Sequence, residues 1–120
     1  MELCAAPFVL FPTAWMAVAH THLGLGPFPD APLTAYLTRS LSALYAVHGA
    51  VIVRVSFDVP RFRPLVGFLG WLHVVFGLTT LGIDLAAGMP WFWTAVEGPG
   101  VAAGGALVLW LNRGAPAQVP

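Results

Sequence analysis

Three ionisable residues lie inside apolar segments of this sequence, where an unpaired charge is costly. Arg39 and Glu97 each lie six residues beyond the start of their segments, and Asp84 lies four residues before the glycine that ends its own. At the rise of an α-helix, the first two are about 9 Å and the third about 6 Å below the same face of a bilayer. Because guanidinium binds a carboxylate bidentately, we predict an intramembrane pair of Arg39 with Glu97 first and Asp84 second. The alternative is a polar lock with no role beyond stability.

Small residues share helical faces with these ionisable groups. At 100° per residue, each apolar segment that holds an ionisable group also aligns it with glycine, alanine or serine. Close helix packing in membranes uses such small residues. The third segment aligns Gly70, His73, Gly77 and Asp84; the fourth aligns Glu97, Gly100 and Gly104. We predict helix packing through Gly70, Gly77, Gly100 and Gly104, and a polar intramembrane site of Arg39, Glu97, Asp84 and His73.

The histidines could bind a haem or a metal ion, but their spacing argues against both. His48 and His73 lie at matched depths and could ligate a haem iron, yet His48 faces about 180° away from Arg39 on the same helix. His20 and His22 diverge by about 200° on a helix and cannot share one metal ion. We therefore expect no cofactor and no metal, and keep a haem-binding electron carrier as an alternative.

Composition excludes most classes of soluble and nucleic-acid-binding protein. Of 120 residues, 58% are hydrophobic and 8% charged, with five basic and five acidic residues. The mean hydropathy is +0.82. Soluble domains carry about 25% charged residues, and nucleic-acid binding needs a basic field. The expected partner is the lipid bilayer, together with a membrane protein or a second copy of the chain, and no nucleic acid.

Four apolar segments are long enough to cross a membrane, which takes about 20 residues. They cover residues 3–23, 33–56, 65–87 and 91–112, separated by loops rich in Gly and Pro. We predict an all-α, four-span transmembrane helical bundle forming one domain over residues 1–120. Pro7 and Pro12 interrupt the first segment, for which a cleaved signal peptide is the competing interpretation. Pro99 either kinks or breaks the fourth.

Arginine placement predicts the orientation. Arg54, Arg61 and Arg63 cluster at the second loop, and Arg113 follows the fourth segment. In a four-span chain these positions lie on one side, so the positive-inside rule places both termini in the cytoplasm. We expect an integral protein of the bacterial cytoplasmic membrane.

Two stretches carry a family resemblance. Residues 39–49 (RSLSALYAVHG) open the second segment, and residues 93–98 (WTAVEG) lie in the fourth. Together with the segment pattern, they resemble small bacterial four-helix membrane proteins that are broadly DoxX-like. The resemblance implies a four-helix fold. It implies no activity, because such families have no uniform one.

No nucleophile–base pair, phosphate-binding loop or zinc signature is present in the sequence. We therefore predict a non-enzymatic membrane component, either an accessory subunit or a small-ligand-binding protein. One alternative is a small transporter or proton relay that uses Glu97, Asp84 and Arg39. Another is a haem-binding electron carrier that uses His48 and His73.

Overall fold

The structure is a computed structural model that describes residues Glu2 to Gly114, and these residues form helices and no strand. Met1 and residues 115–120, the chain ends that we predict to be cytoplasmic, lie outside the described residues. The elements in chain order are a 3-10 helix Glu2–Val9, α1 Thr13–His22, α2 Pro32–Ser56, α3 Arg63–Ala87 and α4 Trp91–Gly114. Two compact units divide the chain, Met1–Ser56 and Phe57–Pro120. The all-α class is confirmed.

The first unit packs its 3-10 helix directly on α2. A Cβ atom added to Gly49 would lie 3.0 Å from the backbone nitrogen of Leu3 and 3.2 Å from Cβ of Glu2. The glycine therefore permits the two helices to approach at backbone distance. His48, the neighbouring residue of α2, binds Glu2 through Nδ1 and Oε2, 2.7 Å apart.

The first apolar segment forms two short helices where the sequence analysis treats residues 3–23 as one span. The 3-10 helix ends at Val9 and α1 begins at Thr13. Proline explains the interruption, because Pro12 has no N–H to donate to a preceding turn and disfavours helical conformation in the residue before it. Arg39 donates from Nη2 to the carbonyl of Phe11 at 3.3 Å, so a side chain from α2 satisfies a backbone acceptor that the break exposes.

The second unit is an antiparallel hairpin of α3 and α4. A left-handed Gly88 (φ +66°) ends α3, and its conformation requires glycine. Met89 donates its N–H to the carbonyl of Asp84, and Pro90 accepts from the first turn of α4. The reversal is thus completed in three residues, which places the end of α3 beside the start of α4.

Glycines on both helices form the contact between α3 and α4. A Cβ added to Gly98 would lie 2.6 Å from the carbonyl oxygen of Gly77, and one added to Gly105 would lie 2.6 Å from that of Gly70. All four glycines are buried. No larger residue fits at these places without separating the helices.

The helix α4 continues through Pro99 without interruption, from Trp91 to Gly114. Pro99 was expected either to kink or to break this helix, and the described helix has no break. The carbonyl of Ala95 nevertheless loses its helical donor, since the residue four positions later is proline.

Two helices of the described chain, α3 and α4, are long and apolar enough to cross a membrane. The mean hydropathies of their best windows are 1.7 and 1.3. Large apolar side chains on the surface include Trp15, Leu44, Trp71 and Trp110, each exposing 57–66% of its area. The buried hydrophobic side chains among the described residues are Met16, Val55 and Leu69. Such a small core under so apolar a surface is typical of a chain that meets lipid or protein partners.

Candidate functional site

Four pairs of positions, each seven residues from the next, define the line along which α3 meets α4. We call this line the hairpin seam. It comprises Arg63 opposite Asn112, Gly70 opposite Gly105 and Gly77 opposite Gly98, and the same spacing then reaches Asp84 and Trp91, which both line one pocket. Seven residues are nearly two helical turns, so each helix presents one face to the other. Asp84 therefore occupies the position on α3 that glycine occupies one and two heptads earlier.

Asp84 is buried in the hairpin without a hydrogen-bond donor. It exposes 5% of its surface, and its Oδ2 has no hydrogen-bond partner among the described residues. The backbone carbonyl of Asp84 accepts a hydrogen bond from the N–H of Met89, so it is the side-chain oxygen that lacks a donor. A buried carboxylate with no donor is costly, so this oxygen needs a donor from outside the described residues.

A pocket of about 480 Å³ lies at this end of the hairpin seam, between the last turn of α3 and the first two turns of α4. Asp84 is its one ionisable lining residue among those described. The lining consists of Leu81, Asp84, Leu85, Gly88, Met89, Trp91, Thr94, Ala95 and Pro99. The pocket is an open depression with a mostly apolar wall and one acid.

Glu97 lies on α4 near this pocket. The indole N–H of Trp93 donates to Oε2 of Glu97 one turn along the helix. Glu97 and Asp84 are close enough for their charges to repel each other. Glu97 therefore has a donor within its own helix and is a second carboxyl group near Asp84.

Arg39 and Glu97 each have a hydrogen-bond partner within their own unit. Arg39 donates to Phe11 in the first unit, and Glu97 accepts from Trp93 in the second. The pair of Arg39 with Glu97 or Asp84 stays a prediction. The contact of Arg39 with the break before α1 was not predicted, although Pro12, which causes the break, indicates that a carbonyl there needs a donor.

The histidines bind protein groups. His73 bonds through Nδ1 to the carbonyl of Leu69 at 2.7 Å, one turn back on α3, and its Cβ borders Gly105. His48 binds Glu2, as described above. His20 bonds to the carbonyl of Gly26 at 2.9 Å. Since α1 is helical through His22, His20 and His22 have the divergent directions that the sequence analysis expects.

The packing glycines of α4 differ from those that the sequence suggested. Gly70 and Gly77 lie in the hairpin seam, but Gly100 and Gly104 have no described atom within 4 Å of an added Cβ. The glycines that face α3 are Gly98 and Gly105. Gly100 and Gly104 were predicted because they are four residues apart. Gly98 and Gly105 are seven residues apart, as are Gly70 and Gly77 on α3.

Arg63, Asn112 and Trp91 were not predicted to belong to the hairpin seam. Arg63 donates from Nη2 to the carbonyl of Asn112 at 3.0 Å, and Asn112 donates from Nδ2 to the carbonyl of Arg63 at 3.3 Å. Trp91 lines the pocket at the other end. The heptad repeat from Arg63 to Asp84 and from Trp91 to Asn112 would have indicated all three.

Comparison with known proteins adds no family to these observations. No family model matches the chain, and no curated protein and no solved structure matches it. The DoxX-like resemblance therefore stays a prediction that depends on the residues quoted for it.

Proposed function

We propose that the chain is an integral membrane protein that binds a small ligand in the pocket at Asp84 and catalyses no reaction. It crosses the bacterial cytoplasmic membrane as a four-span helical bundle with both termini in the cytoplasm. The observation that supports ligand binding is the buried, unpartnered Oδ2 of Asp84 in a pocket of about 480 Å³. A ligand that donates a hydrogen bond would satisfy this oxygen.

In addition to α3 and α4, the helix α2 and the N-terminal helices support membrane insertion. The 25-residue helix α2 is about 37 Å long at the α-helical rise, which exceeds the apolar thickness of a bilayer. It exposes Leu33, Leu44 and Val47 by 64–65% each. Arg39 satisfies the Phe11 carbonyl where the N-terminal helices break, as lipid-embedded backbone demands.

The arginines of the second unit support the orientation. Arg61, Arg63 and Arg113 lie at the end of the hairpin that is remote from the Gly88 turn. The positive-inside rule places that end in the cytoplasm. The pocket, which lies at the turn, then faces the outer side of the membrane. This places Asp84 where it can take a ligand from outside the cell.

The test of ligand binding is to fill the pocket and compare what co-purifies. Ala95→Phe places a ring in the pocket lining, whereas Ala103→Phe adds the same ring to an exposed position of α4 that does not line the pocket. We expect solvent extracts of the purified protein, analysed by mass spectrometry, to contain a small molecule that Ala95→Phe loses and Ala103→Phe keeps. Identical extracts from all three proteins would contradict the proposal.

A proton relay is the second candidate function. Repulsion between Asp84 and Glu97 favours it, because two carboxyl groups at one end of a hairpin can share and pass a proton. Arg39 would complete the set of ionisable groups. Proton uptake into liposomes that contain the protein, abolished by Asp84→Asn, would favour the relay over passive ligand binding.

We also propose that a membrane partner covers one face of α4. Gly100 and Gly104 form an exposed small-residue pair on α4, which is the pattern that membrane helices use for close association. An accessory role beside another membrane protein, or a homo-oligomer, would cover this face.

A further inference from the structure

Few polar groups line the pocket at Asp84. They are the carboxyl group of Asp84, the hydroxyl of Thr94, which donates to the carbonyl of Met89, and the indole N–H of Trp91. Asp84 Oδ2 has no donor among the described residues. To satisfy the carboxylate of Asp84, a ligand must bring N–H or O–H groups of its own.

The charge in the pocket is negative and is not balanced by its walls. The described lining residues include one acid and no basic residue. The carboxyl group of Glu97 lies near enough to repel that of Asp84. A positive ligand would relieve both the repulsion and the cost of burying Asp84 without a partner.

The size and walls of the pocket favour an organic ion over a bare metal ion. A volume of about 480 Å³ is in the range of sites for small organic molecules. Its walls are formed largely by the apolar side chains of Leu81, Leu85 and Met89, with Trp91 at the start of α4. Metal ions prefer several oxygen ligands, which these side chains do not supply. Trp91 adds an aromatic ring of the kind that binds organic cations.

We propose that the ligand class of this pocket is a small organic ammonium ion that carries N–H groups and an apolar body. This inference rests on the proposed function, since it names the ligand of the same site. The ammonium group donates to the carboxylate of Asp84, and the apolar body packs on the leucines and Met89.

The probe is benzylamine, whose ammonium group and ring match the two parts of the pocket. Binding to the detergent-purified full-length chain is measured by calorimetry. We expect Asp84→Asn to weaken benzylamine binding by about 10- to 100-fold, the range for a lost hydrogen bond to a charged group. Asp30→Asn is the control, because it removes the same charge from an exposed loop residue outside the pocket. It should leave the affinity unchanged.

Two analogues separate charge from hydrogen bonding. Benzyl alcohol keeps the ring and loses the charge, and benzyltrimethylammonium keeps the charge and loses every N–H. Both should bind at least about tenfold more weakly than benzylamine. If benzyltrimethylammonium binds as well as benzylamine, the requirement for N–H donors is overturned.

The remaining outcomes distinguish this inference from the proposed function. If benzyl alcohol binds as well as benzylamine, and Ala95→Phe abolishes binding while Asp84→Asn does not, the pocket binds small molecules but the ammonium class is wrong. The same holds if Na⁺ or Mg²⁺ binds in place of benzylamine. If none of the probes binds and no small molecule co-purifies, both proposals are overturned.

Discussion

Arg63 and Asn112 hold the open end of the α3–α4 hairpin by exchanging hydrogen bonds, each side chain donating to the main-chain carbonyl of the other residue. Both residues are half-buried. The carbonyl of Asn112, in the last turn of α4, lacks a helical donor and would otherwise need water, whereas the carbonyl of Arg63, at the start of α3, gains a donor in addition to its helical one. The exchange also connects the first residue of α3 to the last turn of α4.

Asn112→Leu should therefore destabilise the hairpin. The variant removes the hydrogen bond from Nδ2 to the carbonyl of Arg63, which costs about 0.5–1.5 kcal/mol. Arg113→Leu, a change at the neighbouring exposed residue, is the control. The measurement is thermal unfolding in detergent followed by circular dichroism. Equal midpoints for both variants would show that the exchange contributes nothing measurable.

The glycines of the hairpin seam should tolerate no side chain. A Cβ on Gly77 would lie 2.5 Å from the backbone nitrogen of Ala102, and one on Gly98 would lie 2.6 Å from a carbonyl oxygen of α3. Backbone atoms cannot move aside, so Gly77→Ala and Gly98→Ala should each lose about 1–3 kcal/mol of stability.

Gly100→Ala and Gly104→Ala are matched controls on the same helix. Their added Cβ atoms meet no described atom within 4 Å, and alanine favours helix over glycine by about 0.5–1 kcal/mol. We expect these two variants to be neutral or more stable. Loss of stability at Gly100 or Gly104, with no loss at Gly98, would show that α4 packs through its other face.

Labelling of single cysteines should report the orientation of the hairpin. In a Cys4→Ser background, Trp91→Cys places a thiol at an exposed position beside the turn, and Arg113→Cys places one at the opposite end. A membrane-impermeant maleimide added to intact cells should label Trp91→Cys and should reach Arg113→Cys only after the membrane is opened. The reverse pattern would place the pocket in the cytoplasm.

A double-mutant cycle tests the ion pair between Arg39 and Glu97. If the two form a buried pair, Arg39→Leu and Glu97→Leu should each cost about 3–5 kcal/mol, and the double variant should cost less than their sum. Thermal stability in detergent is the measurement. Simple additivity would mean that Arg39 acts through Phe11 and Glu97 through Trp93, as separate hydrogen bonds.

Absorbance of the purified protein tests the haem alternative. His48 and His73 already bond Glu2 and the carbonyl of Leu69, so we expect no Soret band. The comparison is between the wild-type protein and His73→Ala, purified from cells supplied with haem. A Soret band in the wild type that His73→Ala lacks would restore the electron-carrier interpretation.

Helix positions follow from the sequence where apolar runs end in strong breakers. The structure begins and ends α2, α3 and α4 within two residues of the predicted segments. Gly88 and Pro90 between α3 and α4 explain the agreement, because one adopts a left-handed conformation and the other cannot continue a helix. The first predicted segment is two helices in the structure, because a hydropathy average does not show that Pro12 lacks an N–H and interrupts a helix.

The candidate site was predictable in part. Placing Asp84 on one face of α3 with Gly70 and Gly77 required only the helical repeat. The partner face of α4 could not be chosen by that criterion, since this helix carries glycines on more than one side. Gly98 and Gly105 are distinguished by matching the spacing on α3, which is a relationship between two helices and not a property of either.

A slide of α4 by one heptad along the hairpin seam would keep one glycine pair and set the other glycines against larger residues, Asp84 and Asn112 in one direction and Trp91 and Arg63 in the other. Sliding one way would extend α3 through Pro90, which has no N–H to continue the helix. Sliding the other way would start the reversal near Asp84 and unwind the last turn of α3, with its left-handed Gly88. The three-residue turn therefore reinforces the pairing that the glycines favour. A longer, flexible turn would remove this second constraint, and the glycine contacts alone would then hold Asp84 in register with α4.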